Sequence, residues 1–419
     1  MSSDKRVRIA VSELIPGAKC TSAVYDDDGR LLLSEGTVFS TAFQEGLERR
    51  GIDFVEVNDS DLDALLGVKA KRRPAPKKKR KERLPEGLQL RARHEGEPYS
   101  AKRQVRFERQ IQEATKLLDN IGSRIDNLAS AEADLLRNVP MGLAEMLIED
   151  ADQTIASMLD PTDNQLLSER CLRMSLLAMN TAMELQLSSD EVLQIGLAGL
   201  LHDMGLYLMP PRFRKLSKKF DADQQWQYEK HPLLSANAIS RVASASDEVS
   251  LMILQVHERP DGSGFPKGVH ANLLHPHTPI LNLVDDYLSL TECFQDRSPI
   301  VPHDAIAELL QQGAHRGFYT SKVMRAFICH LTLFPIGSLV ELSDGQIGRV
   351  IRRSDRQYDR PLIRVLTDDR DHLDDQPLMD GINYDEGPMV DLMKSDARIV
   401  RPLCVAASGQ IRCSIPVVV

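Results

Sequence analysis

One Trp in 419 residues, six widely spaced Cys and no long apolar run set the first bounds on this sequence. The Cys stand at 20, 171, 293, 329, 404 and 413, and none belongs to a CxxC pair. Neither a zinc knuckle nor a disulfide-stapled scaffold is expected, and a reducing, cytoplasmic setting is the default. No stretch approaches the roughly 18 apolar residues of a membrane span, and no apolar segment follows Met1, so no transmembrane segment is expected. GxGxxG and GxxxxGKS/T phosphate loops are absent, and strands do not alternate with helices, which argues against a Rossmann or P-loop enzyme. Basic residues (52) are outnumbered by acidic ones (61), giving a formal charge of −9. That balance argues against a dedicated nucleic-acid binder. What is present, 42% hydrophobic and 27% charged residues, suits a folded globular chain rather than a disordered one.

Charge is strongly segregated. Ten basic residues against the single acid Glu82 lie between Lys69 and Arg83, a window of +9 that leaves the rest of the chain near −18. With Pro74 and Pro76 and almost no apolar side chains, this window reads as a solvated linker over 61–101. Docking onto an acidic partner, an anionic membrane or nucleic acid is its functional alternative. Residues 1–60 read as a small α+β module: strands at Arg8–Val11, Ala23–Tyr25 and Phe54–Val57, a helical stretch at Thr41–Arg50, and a turn at Asp26-Asp27-Asp28-Gly29. The Asp triplet lacks the alternation and final Glu of a calcium loop.

A Pro-free helix is expected over 102–137, with an apolar seam at Ile111, Ala114, Leu118, Ile121, Ile125, Leu128 and Leu135. The seam can pair two subunits or pack on the following domain. Residues 141–333 read as a helical domain, with Ser188 and Asp221 as N-caps. Residues 334–419 read as β-rich, with strands at Ser338–Leu342, Ile347–Arg352, Leu362–Leu366 and Met389–Leu392, and a small β-barrel is expected there. The expected fold is therefore multidomain and mainly α, a helical bundle flanked by a small N-terminal α+β unit and a small C-terminal barrel.

Within the helical region, polar residues sit in unusually apolar settings. His202-Asp203 closes the apolar run Ala198–Leu201; His231, His257-Glu258 and Asp285-Asp286 follow. Three His and an Asp from different helices can build a metal site inside a bundle. The order Leu201-His202-Asp203-Met204-Gly205, His231-Pro232, His257-Glu258-Arg259-Pro260-Asp261-Gly262-Ser263-Gly264-Phe265-Pro266, Val284-Asp285 resembles the HD-GYP branch of the HD superfamily over about residues 165–333. The N-terminal unit, with Gly17 and Gly36, and the 334–345 segment look like modules found beside that domain. The resemblance implies an HD-type helical bundle holding iron or manganese and hydrolysing cyclic di-GMP to pGpG or GMP. Two-metal catalysis is its chemistry, with ions that activate water and neutralise phosphoryl charge. It implies His202 and Asp203 as the catalytic pair, and His202, Asp203 and Asp285 as ligands of the first ion. Asp203, His231 and His257 are the implied ligands of the second, and Asp261, Gly262, Ser263, Gly264, Phe265 and Pro266 form the signature.

The same resemblance exposes departures. Arg170 stands where a ligating His is expected, Leu166 where three-metal members carry Glu, Leu206 where a Lys is expected, and Val256 where a second His is expected. A substrate-contacting Arg corresponds only loosely to Arg297. A guanidinium cannot ligate a cation and stays protonated, so Arg170 is expected to pair with Asp203 and Asp285 in place of the first ion. Three readings follow. The first is a signalling adaptor or ligand sensor with hydrolysis lost or reduced. The second is an active phosphodiesterase with one or two ions retained. The third is a structural bundle that oligomerises or docks partners through 102–137. No receiver domain, GGDEF motif or helix-turn-helix is visible. His270, His275 and His277 read as loop residues, Asp368-Asp369 and Asp374-Asp375 as solvated turns, and Cys171 and Cys293 as buried thiols.

Overall fold

Two units divide the chain, Met1–Arg83 and Leu84–Val419. The computed structural model describes residues 6–11, 14, 20–26, 31–40, 44, 47, 50, 52, 54–58, 61, 97–125, 130–159, 167–214, 219–240, 246–292, 300–354, 357–367, 387–405 and 411–413. Gly17, Leu166, Cys293, Arg297, the acidic pairs at 368–375 and most of the 61–101 linker and the 41–50 helix lie outside them.

In the first unit, β1 (Arg6–Ala10), β2 (Val24–Tyr25), β3 (Leu31–Leu33) and β4 (Phe54–Asn58) form an antiparallel sheet in the order β1-β4-β2-β3. Alternation puts Val55 and Val57 on one face, where they bury against Ile9, Phe39 and Leu47.

In the second unit, Ser100 caps α1 (Ala101–Gly122) by accepting the Arg103 N–H. The expected 102–137 helix stops here. The ring of Tyr207 occupies the space a Cβ on Gly122 would need, and the next helix, α2 (Ser130–Leu159), starts after 129 and runs through Pro140, across the expected boundary at 140. The seam residues Leu118, Ile121 and Ile125 are buried in the bundle core of the same chain, so the seam faces the following domain. α2 is itself interrupted at Asp150, whose φ of −162° and ψ of 93° are not helical. Its carboxylate caps the Gln153 N–H and receives both terminal nitrogens of the fully buried Arg352 at 2.6 and 3.0 Å. Residues 97–100 are docked rather than linker-like. The Tyr99 hydroxyl donates to the Ile351 carbonyl, and the Arg352 guanidinium lies 4.7 Å from the ring centroid.

The core helix is α3 (Leu167–Glu184), buried on nearly all sides. α4 (Ser189–Leu201) begins with the expected Ser188 cap, completed as a capping box by Glu191. Gly199 allows α4 to approach α3 so closely that a Cβ there would lie 3.1 Å from Ser175 Cα. Ser175 Oγ seals the contact by donating to the Gly196 carbonyl. Two helices follow, α5 (Ala222–Tyr228), capped by Asp221, and α6 (His231–Ser240). Pro232 has no N–H to give to the carbonyl of Tyr228, four residues back, and the break between the helices falls there. α7 (Asp247–Gln255), α8 (Thr278–Thr291), α9 (Pro302–Arg316) and α10 (Ser321–Leu331) complete the described helices. No described helix is long and apolar enough to cross a membrane.

The C-terminal strands are β5 (Leu339–Leu342), β6 (Ile347–Arg352), β7 (Leu362–Thr367), β8 (Met389–Asp391), β9 (Ile399–Val405) and β10 (Ile411–Cys413). The expected barrel does not form: the antiparallel order is β10-β9-β5-β6-β7-β8, and among the described residues the two ends do not pair. Both end strands are three residues long. Arg352 at the end of the inner strand β6 joins the sheet to α2.

Candidate metal centre

Each functional side chain is aimed by a local backbone feature. His202 caps the end of α4, and its Nδ1 lies 2.7 Å from the Gly199 carbonyl. Asp203 opens the tight 3-10 turn Met204–Leu208, in which a Cβ on Gly205 would lie 2.4 Å from the His231 carbonyl. Ser235 Oγ donates to the His202 carbonyl and accepts from the Gly205 N–H, locking this turn onto α6. His231 opens α6 and directs Nδ1 to the Tyr228 carbonyl at 2.8 Å, the acceptor that Pro232 leaves free. His257 follows α7, and Asp285 projects from the middle of α8.

These elements bring Asp203, His231 and His257 together. Their ligand atoms all lie within 4.8 Å of one another, and theirs is the one such group among the described residues. His231 Nε2 is 3.0 Å from His257 Nε2 and 3.1 Å from Asp203 Oδ1. The Nδ1 contacts to Tyr228 O and to Asp285 Oδ2 (3.1 Å from His257 Nδ1) leave both Nε2 atoms turned towards Asp203 and each other. With the protons on Nδ1 of both rings, two nitrogen lone pairs and a carboxylate oxygen would converge, a donor set that suits a cation. Asp203 Oδ1 has no hydrogen-bond partner. Ligands about 2.1 Å from one ion sit about 3 Å apart, so the observed spacings fit a coordination edge. Burial lowers the His231 pKa and keeps that ring neutral. Burial opposes ionisation of Asp203, but His202 and His231 overcome it and hold the carboxyl well below its ordinary range. For His202, burial lowers the pKa, and Asp203 and Asp285 together raise it by more.

A second corner, His202, Asp203 and Asp285, shares Asp203 with the first. His202 Nε2 lies 3.2 Å from Asp203 Oδ2 and 4.0 Å from Asp285 Oδ1. Arg170 fills it from α3. Its Nη2 donates to Asp285 Oδ1 at 2.7 Å and to Ser289 Oγ at 2.9 Å, its Nη1 to Glu292 at 2.7 Å, and its Nε is 3.9 Å from Asp203 Oδ2. The expected pairing with Asp203 and Asp285 is therefore found, but it is shared with Glu292 rather than bidentate on one carboxylate. Burial would lower the Arg170 pKa, yet Glu292, Asp285 and Asp203 raise it. Burial likewise opposes ionisation of Asp285, and His257 and Arg170 hold it low.

Glu292, Ser289 and Arg173, which bonds Glu292 at 2.8 Å, were not foreseen. Asp285, Ser289 and Glu292 stand at i, i+4 and i+7 on one helix, a helical spacing that carried the signal. Leu206 and Val256 are buried in the hydrophobic core. In the signature, Asp261 Oδ1 accepts the Ser263 N–H and hydroxyl, Gly262 adopts a φ of +79° and Gly264 lies against the His257 carbonyl. Phe265 stacks on the His257 ring at 4.7 Å, and Pro266 follows it. His275 and His277 stay in their loop, where His277 meets Glu191, and the His270 ring lies against Gly262.

The chain is similar to several known proteins. Residues 153–319 match the HD domain family. The chain is 28% identical over 185 residues to the cyclic di-GMP phosphodiesterase PA4108 of Pseudomonas aeruginosa, covering 44% of each chain. It is 20% identical over 183 residues to the cyclic di-GMP phosphodiesterase PdeB of Borreliella burgdorferi, covering 44% of this chain and 48% of the relative. The chain thus spans less than half the length of these curated relatives. It is 32% identical over 119 residues to the cyclic di-GMP phosphodiesterase response regulator RpfG of Xanthomonas campestris, 28% of this chain and 32% of the relative. Among solved structures, Bd1817, an HDG"Y"P protein from Bdellovibrio bacteriovorus, aligns with a TM-score of 0.46 at 16% identity, covering 77% of this chain and 98% of the other. With the HD pair, the later His and Asp positions and the Asp-Gly-Ser-Gly-Phe-Pro loop in one domain, the chain is a member of the HD-GYP family.

Proposed function

We infer that this chain is a cyclic di-GMP signalling protein in which hydrolysis is lost or reduced, working as a ligand sensor or adaptor. The observation that carries the reading is the unequal state of two corners that share Asp203. Asp203, His231 and His257 present only acceptor atoms to one another and would hold one divalent ion, iron or manganese. When bound, such an ion supplies Lewis acidity to a phosphodiester. The neighbouring corner already has its positive charge in Arg170, whose donors are engaged by Asp285, Ser289 and Glu292. A guanidinium can balance those carboxylates but cannot clamp a phosphoryl oxygen as a second ion does. Leu206 and Val256, turned into the core, add neither an ammonium nor an imidazole. In this reading the N-terminal sheet unit is a module of its own, and the C-terminal sheet belongs to the same unit as the helical domain.

Metal analysis of the purified full chain tests this, with close to one iron or manganese per chain expected. Two ions per chain in the wild type would refute the replacement by Arg170. The intact Asp203, His231 and His257 group favours a second reading, an active single-ion phosphodiesterase giving pGpG or GMP. Chromatographic detection of turnover, abolished in Asp203→Ala, would establish that reading over the first. Of the 102–137 seam that motivated a docking bundle, Leu118, Ile121 and Ile125 are buried in the chain's own core, whereas Leu135 is exposed.

A further inference from the structure

Glu258, next to His257, is 1% exposed, yet it touches none of the converging ligand atoms. A buried carboxylate needs partners, and this one takes both from the signature loop. One oxygen accepts the Lys267 N–H at 2.7 Å and the other accepts the Val269 N–H at 3.0 Å. The loop between them folds back over His257. The Phe265 N–H donates to the His257 carbonyl at 3.2 Å, and the Phe265 ring stacks on the imidazole at an interplanar angle of 20°. On the other side, α8 grips the same three residues. His257 Nδ1 meets Asp285, Asn282 Nδ2 donates to the Glu258 carbonyl at 2.5 Å, and Arg259 is bidentate on Asp286. The imidazole is thus clamped between a helix and a loop, and on the loop side the Glu258 carboxylate holds the backbone of Lys267 and Val269 while the Phe265 ring covers the imidazole.

We propose that Glu258 is a positioning residue: it staples the 261–269 loop shut and thereby fixes the orientation of the His257 ring, tuning the affinity of the metal centre without ligating it. The proposal rests on the reading of Asp203, His231 and His257 as a metal centre. The carboxylate is suited to this task because it offers two acceptors to two backbone donors. A Gln there keeps one acceptor and sets an amide N–H2 against the other donor; an Ala leaves both unpaired.

The test is Mn2+ titration calorimetry on the full chain, first stripped with chelator, for wild type, Glu258→Gln, Glu258→Ala and His257→Ala. Partners of metal ligands typically contribute about 10–100-fold in metal affinity, and a loss of that size is expected for Glu258→Gln and Glu258→Ala, with none bound by His257→Ala. Amide exchange at Lys267 and Val269 reports whether the staple has opened. Unchanged Mn2+ affinity in a folded Glu258→Ala whose Lys267 and Val269 amides exchange faster would overturn the proposal, since a merely structural role predicts that result. Glu258→Gln serves if Glu258→Ala does not fold. If the wild type takes up no Mn2+, the metal reading has failed, and the 15N-histidine spectrum of the metal-free protein decides about Glu258. A shift of the His257 ring resonances in Glu258→Gln, with His277 unmoved, supports the staple, and an unmoved His257 overturns it.

Discussion

Replacing Arg170 by His separates the two roles that this side chain combines, charge balance and exclusion of an ion. In chelator, Arg170→His removes the guanidinium from a corner where Arg170 is 5% exposed and Asp285 9%. Breaking a buried pair by removing one partner costs about 3–5 kcal/mol. The geometry points to the lower end. Glu292 keeps Arg173 at 2.8 Å, and Asp285 keeps His257 Nδ1 at 3.1 Å, so neither carboxylate is left bare. A loss of about 3 kcal/mol is therefore expected, which lowers the folding constant by roughly 150-fold. The new imidazole can ligate, however, and it faces His202, Asp203 and Asp285. An additional ion at a hundred times its Kd returns about 2.7 kcal/mol. Urea unfolding followed by circular dichroism, with chelator and with Mn2+, reads both numbers. The variant should fall well below wild type in chelator and recover most of the gap in Mn2+. Equal stability in chelator, or a Mn2+ gain no larger than that of wild type, would refute the account of Arg170 as a built-in cation.

Other perturbations probe the rest of the design. Asp203 and Asp285 both titrate below their ordinary range, so each contributes stability that is present above about pH 4 and drains away as pH falls through the lower folded value; acid unfolding in chelator should show this loss, and Asp285→Asn should flatten it, an unaltered profile counting against the linkage. Gly264→Ala would place a Cβ 2.4 Å from both the His257 carbonyl and the Arg259 nitrogen, so the loop must shift; weaker Mn2+ binding is expected, and native affinity would show that the close approach does not matter. Arg352→Met leaves the buried Asp150 facing Arg103 at 3.2 Å without its bidentate partner, and a loss of about 3 kcal/mol is expected, with faster amide exchange around residues 97–100; unchanged stability would mean that the sheet is held by other contacts.

Much of the site was legible before any coordinates. His202, Asp203, His231, His257 and Asp285 stand out as polar residues in apolar helices, and their order carries the family resemblance. Their helices appear where expected, with Ser188 and Asp221 as caps. Local chemistry suffices for such features, because a cap or an apolar period acts within a few residues. Several departures involve partners far along the chain. The Tyr207 ring packs against Gly122 where α1 ends, and α2 breaks at Asp150 where Arg352 arrives from the sheet.

The sequence by itself therefore determined the class of fold, the residues that meet at the candidate site and the Arg at position 170. Tertiary structure alone decided what surrounds that Arg. Glu292 and Ser289 gather round the guanidinium, and Nε2 of His231 faces Nε2 of His257 at 3.0 Å. Charges and lone pairs act through space at 3 Å, and sequence spacing does not report which groups from separate helices meet at that distance.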